Sequence, residues 1–289
     1  MKKVIVTLLM GIGLIWAVPE AKAREFKEHV SKEFIISKDV TGSTLFIYNI
    51  SGFIKVEGYA GNIVLLEMDK TISADDDKKL ETGKKEFRLA FDQRSDTIMV
   101  YIAEPYDSRP HKKNWQYNYD RREIEYSYNV DFIVRVPFGM NLHISTVNEG
   151  IITVNNVSGT LHISNVNEEI SIKNARGTTY AHTVNGDVSV NYLTNPPDES
   201  SYYTINGDIR VSYQPGLSAD LTFKSMNGDF FTNFSEAELL PSSTSKVQEK
   251  RGEGIVYKLN SVTAVRFGKG GKTFKFETLN GNVYIKKQS

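Results

Sequence analysis

Residues 181–190 read AHTVNGDVSV, and the motif at the centre of this stretch recurs along the chain. Close variants begin at position 147 (VNEGIITV), 166 (VNEEISI), 205 (INGDIRV), 226 (MNGDFFT) and 279 (LNGNVYI). A second kind of corner alternates with the first three copies, as VSGTLHI at 157 and ARGTTYA at 175. Self-similarity at a period near 20 residues indicates a repeat architecture, with two short strands and two corners in each unit.

The repeat unit is defined by its corner asparagines. Asn148, Asn167, Asn185, Asn206 and Asn227 are 19, 18, 21 and 21 positions apart. Between corners, apolar and polar residues alternate as in a strand with one buried face. One unit is too small to bury that face alone, but a stack of units can do so. The pattern therefore predicts an all-β fold, a right-handed parallel β-solenoid with rungs of 18–21 residues.

The predicted stacking assigns a role to particular side chains. Equivalent inward positions are expected to lie about 4.8 Å apart in adjacent rungs, and they are Ile144, Ile163, Tyr202, Phe223 and Phe276. Glycine at the corner is expected to supply a positive φ, and the asparagines to hydrogen-bond from rung to rung. An antiparallel arrangement is the alternative, because Asn-Gly between alternating residues is also a hairpin signal. The constant phase of the motif favours the solenoid.

The flanking segments depart from the repeat. The stretch 45–68 resembles an imperfect first rung, 73–87 is polar and predicts a short surface helix capped by Ser73, and 87–103 predicts a terminal hairpin. Residues 235–254 interrupt the repeat and are predicted to be a flexible excursion. Residues 101–130 form a tyrosine-rich insertion.

The first 23 residues carry the pattern of a secretory signal peptide. A basic start, an apolar run over 4–18 and the sequence Ala21-Lys22-Ala23 predict cleavage after Ala23, which leaves one domain over 24–289. An uncleaved anchor is the alternative, although the apolar run is shorter than a bilayer requires. The expected location is therefore exported, whether periplasmic, on the cell surface or secreted.

Charge and cysteine content exclude several classes. The chain holds 35 basic and 35 acidic residues; removing three lysines and one glutamate with the signal leaves 32 against 34, a net charge of −2. So small a net charge does not attract nucleic acid. The chain has no cysteine, which rules out disulfides and a lipid-modified cysteine.

The combination of LFIYNISGFIKVEGY at 45–59, the serial NGD corners and FGKGGKTFKFETLNGNVYI at 267–285 resembles the adhesin-like β-strand-repeat proteins, an exported bacterial family of unknown function. The resemblance covers about residues 34–286. It implies a β-solenoid at or beyond the cell envelope with a binding, adhesion or scaffolding role. The family offers no catalytic residues to transfer.

Two sets of residues raise the question of a metal. His143 and His162 share one phase of the repeat and are expected on adjacent rungs, where they could hold a transition metal or form a solvated column. Asp187, Asp208 and Asp229 follow the Asn-Gly corners and could bind calcium or serve the corner structurally. Neither set is complete as a metal site, so no cofactor is predicted.

The enzyme alternative is a carbohydrate-active or metal-dependent β-helix enzyme, but no acid pair, nucleophile set or phosphate loop supports it. A binding site is predicted in the tyrosine-rich insertion, because aromatic faces beside polar groups suit a glycan or a surface protein. Its residues are Trp115, Tyr117, Tyr119, Tyr126 and Tyr128. The alternative is a long hairpin whose tyrosines pack on the side of the solenoid.

Overall fold

The computed structural model describes residues 23–36, 39–110, 123–251 and 254–288, with the backbone alone over 242–262. The predicted signal peptide therefore lies outside the described residues. In the described part no helix is long and apolar enough to span a membrane. The fold is all-β, as predicted. The strands are β1 Arg24–Ile35, β2 Thr44–Tyr48, β3 Ile54–Tyr59, β4 Ile63–Ala74, β5 Arg88–Gln93, β6 Thr97–Glu104, β7 Ser127–Pro137, β8 Asn141–Ser145, β9 Ile152–Asn155, β10 Leu161–Ser164, β11 Ile170–Ala175, β12 Thr179–His182, β13 Val188–Tyr192, β14 Ser200–Tyr203, β15 Ile209–Tyr213, β16 Ala219–Lys224, β17 Phe230–Thr232, β18 Glu238–Arg251, β19 Gly254–Phe267, β20 Lys272–Glu277 and β21 Val283–Lys287; helix α1 is Asp77–Glu86, and a 3-10 turn covers Val40–Gly42.

The strands form two mixed sheets. The first sheet has the order β1-β4-β7-β3-β9-β11-β13-β15-β21-β17, and the second has the order β18-β19-β16-β20-β14-β12-β10-β8-β2-β6-β5. From β8 to β15 the chain alternates between the sheets, and each strand pairs in parallel with the strand two positions later. We call one strand of each sheet and the corner between them a rung. The antiparallel alternative is therefore wrong for this part of the chain, whereas a single right-handed solenoid stays a prediction.

The core lies between the two sheets and is built from side chains in register. Ile144, Ile163, Ala181 and Tyr202 are successive partners across the second sheet, and Phe276 and Phe223 continue the column. All six are buried. The predicted column is thus confirmed, with Ala181 as the member that the apolar pattern overlooked. Removing this surface from water is the main stabilising contribution, at roughly 25 cal/mol per Å².

The Asn-Gly corners require glycine because the backbones of adjacent rungs approach closely, and not because of a positive φ. A Cβ on Gly207 would lie 2.1 Å from the carbonyl oxygen of Gly186, and a Cβ on Gly281 would lie 1.9 Å from that of Gly207. Both glycines lack a left-handed φ, so the expectation that the corner glycine supplies one is wrong for these Asn-Gly corners, whereas Gly52 in the first rung has a φ of 115°. Asn156 and Asn174, in the alternate corners, adopt that conformation, at 57° and 54°. Glycine is needed at the main corner because any side chain would enter the rung beside it.

Two polar columns hold the corners together. On the surface, each asparagine amide donates to the asparagine oxygen of the rung before it. Asn167 donates to Asn148 at 2.7 Å, and Asn206 donates to Asn185 at 2.8 Å. Two residues before the asparagine, a buried hydroxyl or amide donates to a corner carbonyl, as Thr204 Oγ1 does to Gly186 O at 2.8 Å. The asparagine ladder is confirmed, and the buried column completes the hydrogen bonding of the corner carbonyls.

The spatial order of the rungs differs from the chain order at the C-terminal end. The sequence spacing predicts that Asn227 stacks on Asn206, but Asn280 lies between them, 2.8 Å from each along the ladder. Strands β20 and β21 are inserted between rung β14–β15 and rung β16–β17. This insertion comes from long-range pairing that the local repeat does not encode.

The segment 235–254, predicted as a flexible excursion, contains β18, which pairs with β19 as an antiparallel hairpin. No alternation of apolar and polar residues marks this strand in the sequence. The segment does interrupt the repeat, and its flexibility stays a prediction.

At the N-terminal end, β5 and β6 form the predicted hairpin. Helix α1 is confirmed over a shorter range, and its N-cap is Asp76, whose carboxylate accepts from Lys79 N at 2.9 Å. Ser73, the expected cap, lies instead in β4, opposite Glu25 and Ser127. Antiparallel β4 and β1 thus extend the first sheet beyond β7, with β1 as its edge strand.

Candidate functional site

A surface groove of about 570 Å³ lies where the asparagine ladder reaches β4 and β7. One wall comes from the facing pairs Thr71–Asn129 and Ser73–Ser127 of the antiparallel strands β4 and β7. The opposite wall is formed by three stacked corners, and the groove is lined by Ile50, Ser51, Thr71, Ser73, Ser127, Tyr128, Asn129, Asn148, Glu149, Asn167 and Glu168. Hydroxyl and amide groups therefore dominate a site with one aromatic residue.

The ladder enters the groove with a defined polarity. Asn167 Nδ2 donates to Asn148 Oδ1, and the other ladder amides donate in the same direction. Asn148 is exposed, and among the described residues its Nδ2 has no acceptor. Aligned amides polarise one another, so this donor at the end of the ladder is a favoured partner for a ligand oxygen.

Two carboxylates give the groove a negative rim. Glu149 has a left-handed backbone with φ of 55°, and its Oε2 lies 3.3 Å from Ser51 Oγ. Glu168 stands at the neighbouring corner, and among the described residues no Lys or Arg side chain lines the groove. The site therefore suits neutral or cationic ligands and disfavours anionic ones.

The described residues include only part of the predicted tyrosine site. Trp115, Tyr117 and Tyr119 lie outside the described residues, in 111–122. Tyr126 is 6% exposed and lies under α1, where its hydroxyl donates to Glu86 at 3.2 Å. Tyr128 is half-buried, packs on Phe87 with ring centroids 4.9 Å apart, and lines the groove.

The boundaries of the tyrosine-rich insertion also change. Its first residues belong to β6 and its last residues to β7, which lie in different sheets. β6 and β7 therefore do not pair with each other, but residues 111–122 lie outside the described residues, and the alternative of a long hairpin stays a prediction. The groove residues Thr71 and Asn129 were missed because the register of β4 on β7 brings them together, and no local motif signals that pairing.

The histidines form part of an outward aromatic column. Phe46, His143, His162 and Tyr180 stack in succession, with ring centroids 5.3, 5.5 and 4.5 Å apart. The two imidazole planes are only 18° from parallel. Their in-plane lone pairs therefore run side by side and do not converge on one ion. In the described part of the chain no three His, Asp or Glu residues form a possible metal cluster.

The column predicts a pH dependence. Burial lowers the pKa of His143 and His162 below 6.5, and the charge of a neighbouring histidine lowers each pKa further, that of His162 acting on His143 and that of His182 acting on His162. The unfolded chain therefore takes up protons first, so the contribution is complete above pH 6.5 and is lost as the pH falls through the folded pKa values. Replacing both residues with glutamine should flatten the loss of stability between pH 7.5 and about pH 5, measured by urea unfolding.

His29 provides the matched control for that measurement. Hydrogen bonds to Asp69 and Glu67 raise its pKa, so its contribution is present at low pH and is lost as the pH rises. His29→Gln should accordingly steepen the loss of stability on acidification. An unchanged slope in the double variant would contradict the role of the column. His182 also has a lowered pKa through burial and keeps part of the acid sensitivity in every variant.

The corner aspartates are used within the fold. Asp187 accepts from Asp208 N, Asp208 accepts from Asn282 N, and each bond measures 2.8 Å. Arg210 forms ion pairs with both carboxylates. In the Asp229 corner the backbone N–H donates to Asn282 Oδ1 at 2.9 Å. This geometry favours the structural reading of the aspartates over calcium binding.

Comparisons with known proteins give fold-level likenesses only. No family model matches the chain, and no curated protein matches it. Similar solved structures include a candidate cell adhesion protein from Clostridium sporogenes, 12% identical with a TM-score of 0.40, covering 90% of this chain and 100% of that one. A candidate adhesin from Bacteroides fragilis is 11% identical with a TM-score of 0.36, covering 90% and 97%.

A candidate lipid binding protein from Parabacteroides distasonis is 9% identical with a TM-score of 0.25, again covering 90% and 97%. The names of the first two agree with the adhesin-like resemblance of the sequence. Identities and TM-scores this low carry no argument about function, so membership of that family stays a prediction.

Proposed function

We propose that this chain is an exported, non-enzymatic β-solenoid that binds a neutral glycan at the cell envelope through the Tyr128 groove. The observation that carries the proposal is the described lining of the groove, in which an aromatic residue lies among hydroxyl and amide groups and the described residues include no basic side chain. Sugars are bound by apolar contact with such rings and by hydrogen bonds to such groups. Cleavage after Ala23 and a right-handed coil are parts of the proposal.

The aromatic residues outside the described part of the chain, Trp115, Tyr117 and Tyr119, belong to the same proposal. Residues 105–110 follow β6, and 123–126 lead into β7, whose first residues line the groove. Trp115, Tyr117 and Tyr119 are proposed to add aromatic contacts to the ligand. Replacing Trp115 and Tyr117 with alanine should weaken glycan binding at least severalfold while leaving the unfolding midpoint unchanged.

The direct test is a glycan array probed with residues 24–289, followed by titration of the best ligand. Tyr128→Ala should weaken binding about tenfold, the equivalent of 1.4 kcal/mol, which is the usual scale for an aromatic contact. The matched control is Tyr203→Ala, because Tyr203 is equally half-buried but lies on the second sheet beside His182. Equal affinity of the two variants would refute the groove as the site. Turnover of any glycan would refute the non-enzymatic role.

The negative rim yields a prediction about charge. The double variant Glu149→Gln and Glu168→Gln should bind uronic-acid glycans severalfold more tightly, because two unfavourable charges are removed. Binding to neutral glycans should change less. The gain should shrink as salt rises from about 0.05 to 0.5 M, since the charges are exposed. A loss of affinity for both ligand types would show that the carboxylates contact the glycan directly.

A surface protein is the second candidate ligand. Phe53 and Ile151 are 37% and 41% exposed beside the same corners, in a depression that shares Glu149 and Glu168 with the groove. Exposed apolar side chains next to a polar groove are typical of protein contacts. Ile151→Asp should abolish binding to whole cells if the ligand is a protein and leave it intact if the ligand is a glycan held at Tyr128.

A further inference from the structure

The last rung of the chain occupies an internal position. Residues 272–287 form β20 and β21, and both strands are paired in parallel on both sides. Their neighbours are rung β14–β15 and rung β16–β17. Phe274, Phe276, Val283 and Ile285 are at most 2% exposed, and Asn280 completes the ladder. This rung is therefore buried as thoroughly as the centre of the repeat.

The site that receives this rung is formed by continuous chain. Strand β15 ends at Tyr213 and β16 begins at Ala219, so only residues 214–218 connect the two neighbouring rungs. Between them the fold leaves a gap of one rung. We call this gap, bounded by β14–β15 and β16–β17, the insertion slot. It offers two apolar strand positions and an asparagine acceptor and donor at the corner.

A short link joins the inserted rung to β19. This link is Gly268–Gly271, in which Gly268, Gly270 and Gly271 have φ of 57°, 69° and 113°. The link crosses the start of β16, because β19 and β20 lie on opposite sides of that strand. Ser218 Oγ donates to Gly270 O at 3.0 Å over this crossing. Four residues here span two strand spacings, about 9.6 Å.

We propose that the insertion slot is an interaction site for a second copy of this chain, which supplies its own residues 268–289. An exchanged segment makes the same contacts between chains as within one chain, so the exchange costs little beyond association. Two copies that exchange reciprocally form a closed dimer. The slot accepts this segment in particular because its apolar residues, its length and its Asn-Gly corner match those of the neighbouring rungs.

The absence of cysteine permits a direct test with full-length chains. Ser201 and Lys275 are partners in register across β14 and β20. Chains carrying Ser201→Cys are mixed with chains carrying Lys275→Cys, unfolded, refolded together at high concentration and oxidised. A disulfide between the two chains requires that the segment of one lie in the slot of the other, since the cysteines must approach to about 6 Å. We expect the covalent heterodimer to be the main oxidised product.

The matched control uses a pair that chain connectivity keeps within one molecule. Asn155 and Lys173 are partners across β9 and β11, and their exposure resembles that of Ser201 and Lys275. Chains with Asn155→Cys and Lys173→Cys should give at least tenfold less heterodimer. Equal yields from the two mixtures would overturn the proposal, because random collision would then explain the product.

A second variant alters the link. Deleting Gly270 and Gly271 leaves two residues to cross β16, which strains the closed monomer but not the open, exchanged form. The dimer fraction measured by size-exclusion chromatography should rise severalfold. A single chain that carries both Ser201→Cys and Lys275→Cys serves to verify folding. Its internal disulfide should form and should block dimer formation. A shortened chain that folds as a monomer would also overturn the proposal.

Discussion

Gly281→Ala is expected to destabilise the protein by at least about 3 kcal/mol, because the added methyl group meets backbone and cannot be accommodated by a side-chain movement. A Cβ at this position would lie 1.9 Å from Gly207 O and 2.6 Å from Gly207 C. Relief requires the two rungs to separate, and separation breaks the bond from Gly207 N to Asn280 O, which measures 3.1 Å. The measurement is the free energy of unfolding in urea.

Gly42→Ala is the matched control for this prediction. A Cβ on Gly42 has nothing within 4 Å, and its φ is not left-handed. The substitution should change the free energy of unfolding by no more than about 0.5 kcal/mol. If both variants unfolded at the same urea concentration, close approach of the corners would not be what requires glycine at Gly281.

Phe276→Ala is expected to cost about 3–5 kcal/mol, the range for removing a buried phenylalanine ring. Phe276 is 1% exposed and lies between Tyr202 and Phe223, with ring centroids 4.8 and 5.1 Å away. The cavity cannot close easily, because the hydrogen-bonded strands on both sides hold the backbone at a set spacing.

Lys275→Ala tests the same strand on its outward face. Lys275 is exposed, so its replacement should change stability by less than about 0.5 kcal/mol. Urea unfolding of the two variants thus separates core packing from strand propensity. Similar losses in both would mean that the inserted rung contributes through its backbone pairing and not through its aromatic column.

Much of the fold was predictable because its interactions repeat. The corner motif places Asn148, Asn167 and Asn185 in one column, and the alternation places Ile144 and Ile163 in another. Each of these positions contacts its own equivalent in the next rung, so a periodic sequence directly specifies the contacts. The candidate site was less predictable: Tyr128 was identified, but the residues that surround it come from β4 and from corners far away in sequence.

The sequence pattern predicted the corner glycine correctly, but it did not reveal the physical reason that requires glycine there. An Asn-Gly pair is read from sequence as a turn with positive φ, and Gly207 has the turn without that φ. The requirement for glycine comes from the carbonyl of Gly186, 2.1 Å from where a Cβ would be. A neighbour in the adjacent rung is invisible in a reading of one corner alone.

By itself, the sequence determined the all-β class, the two-strand repeat, the asparagine ladder and the inward columns, because each depends on local periodicity. Only the tertiary structure decided that Asn280 lies between Asn206 and Asn227, that β18 and β19 form an antiparallel pair, and that Tyr128 borders a groove. These features depend on pairing between segments distant in the chain. The local residue pattern indicates which side chains each strand buries. Which strands pair with each other depends on the free energy of the whole assembled sheet.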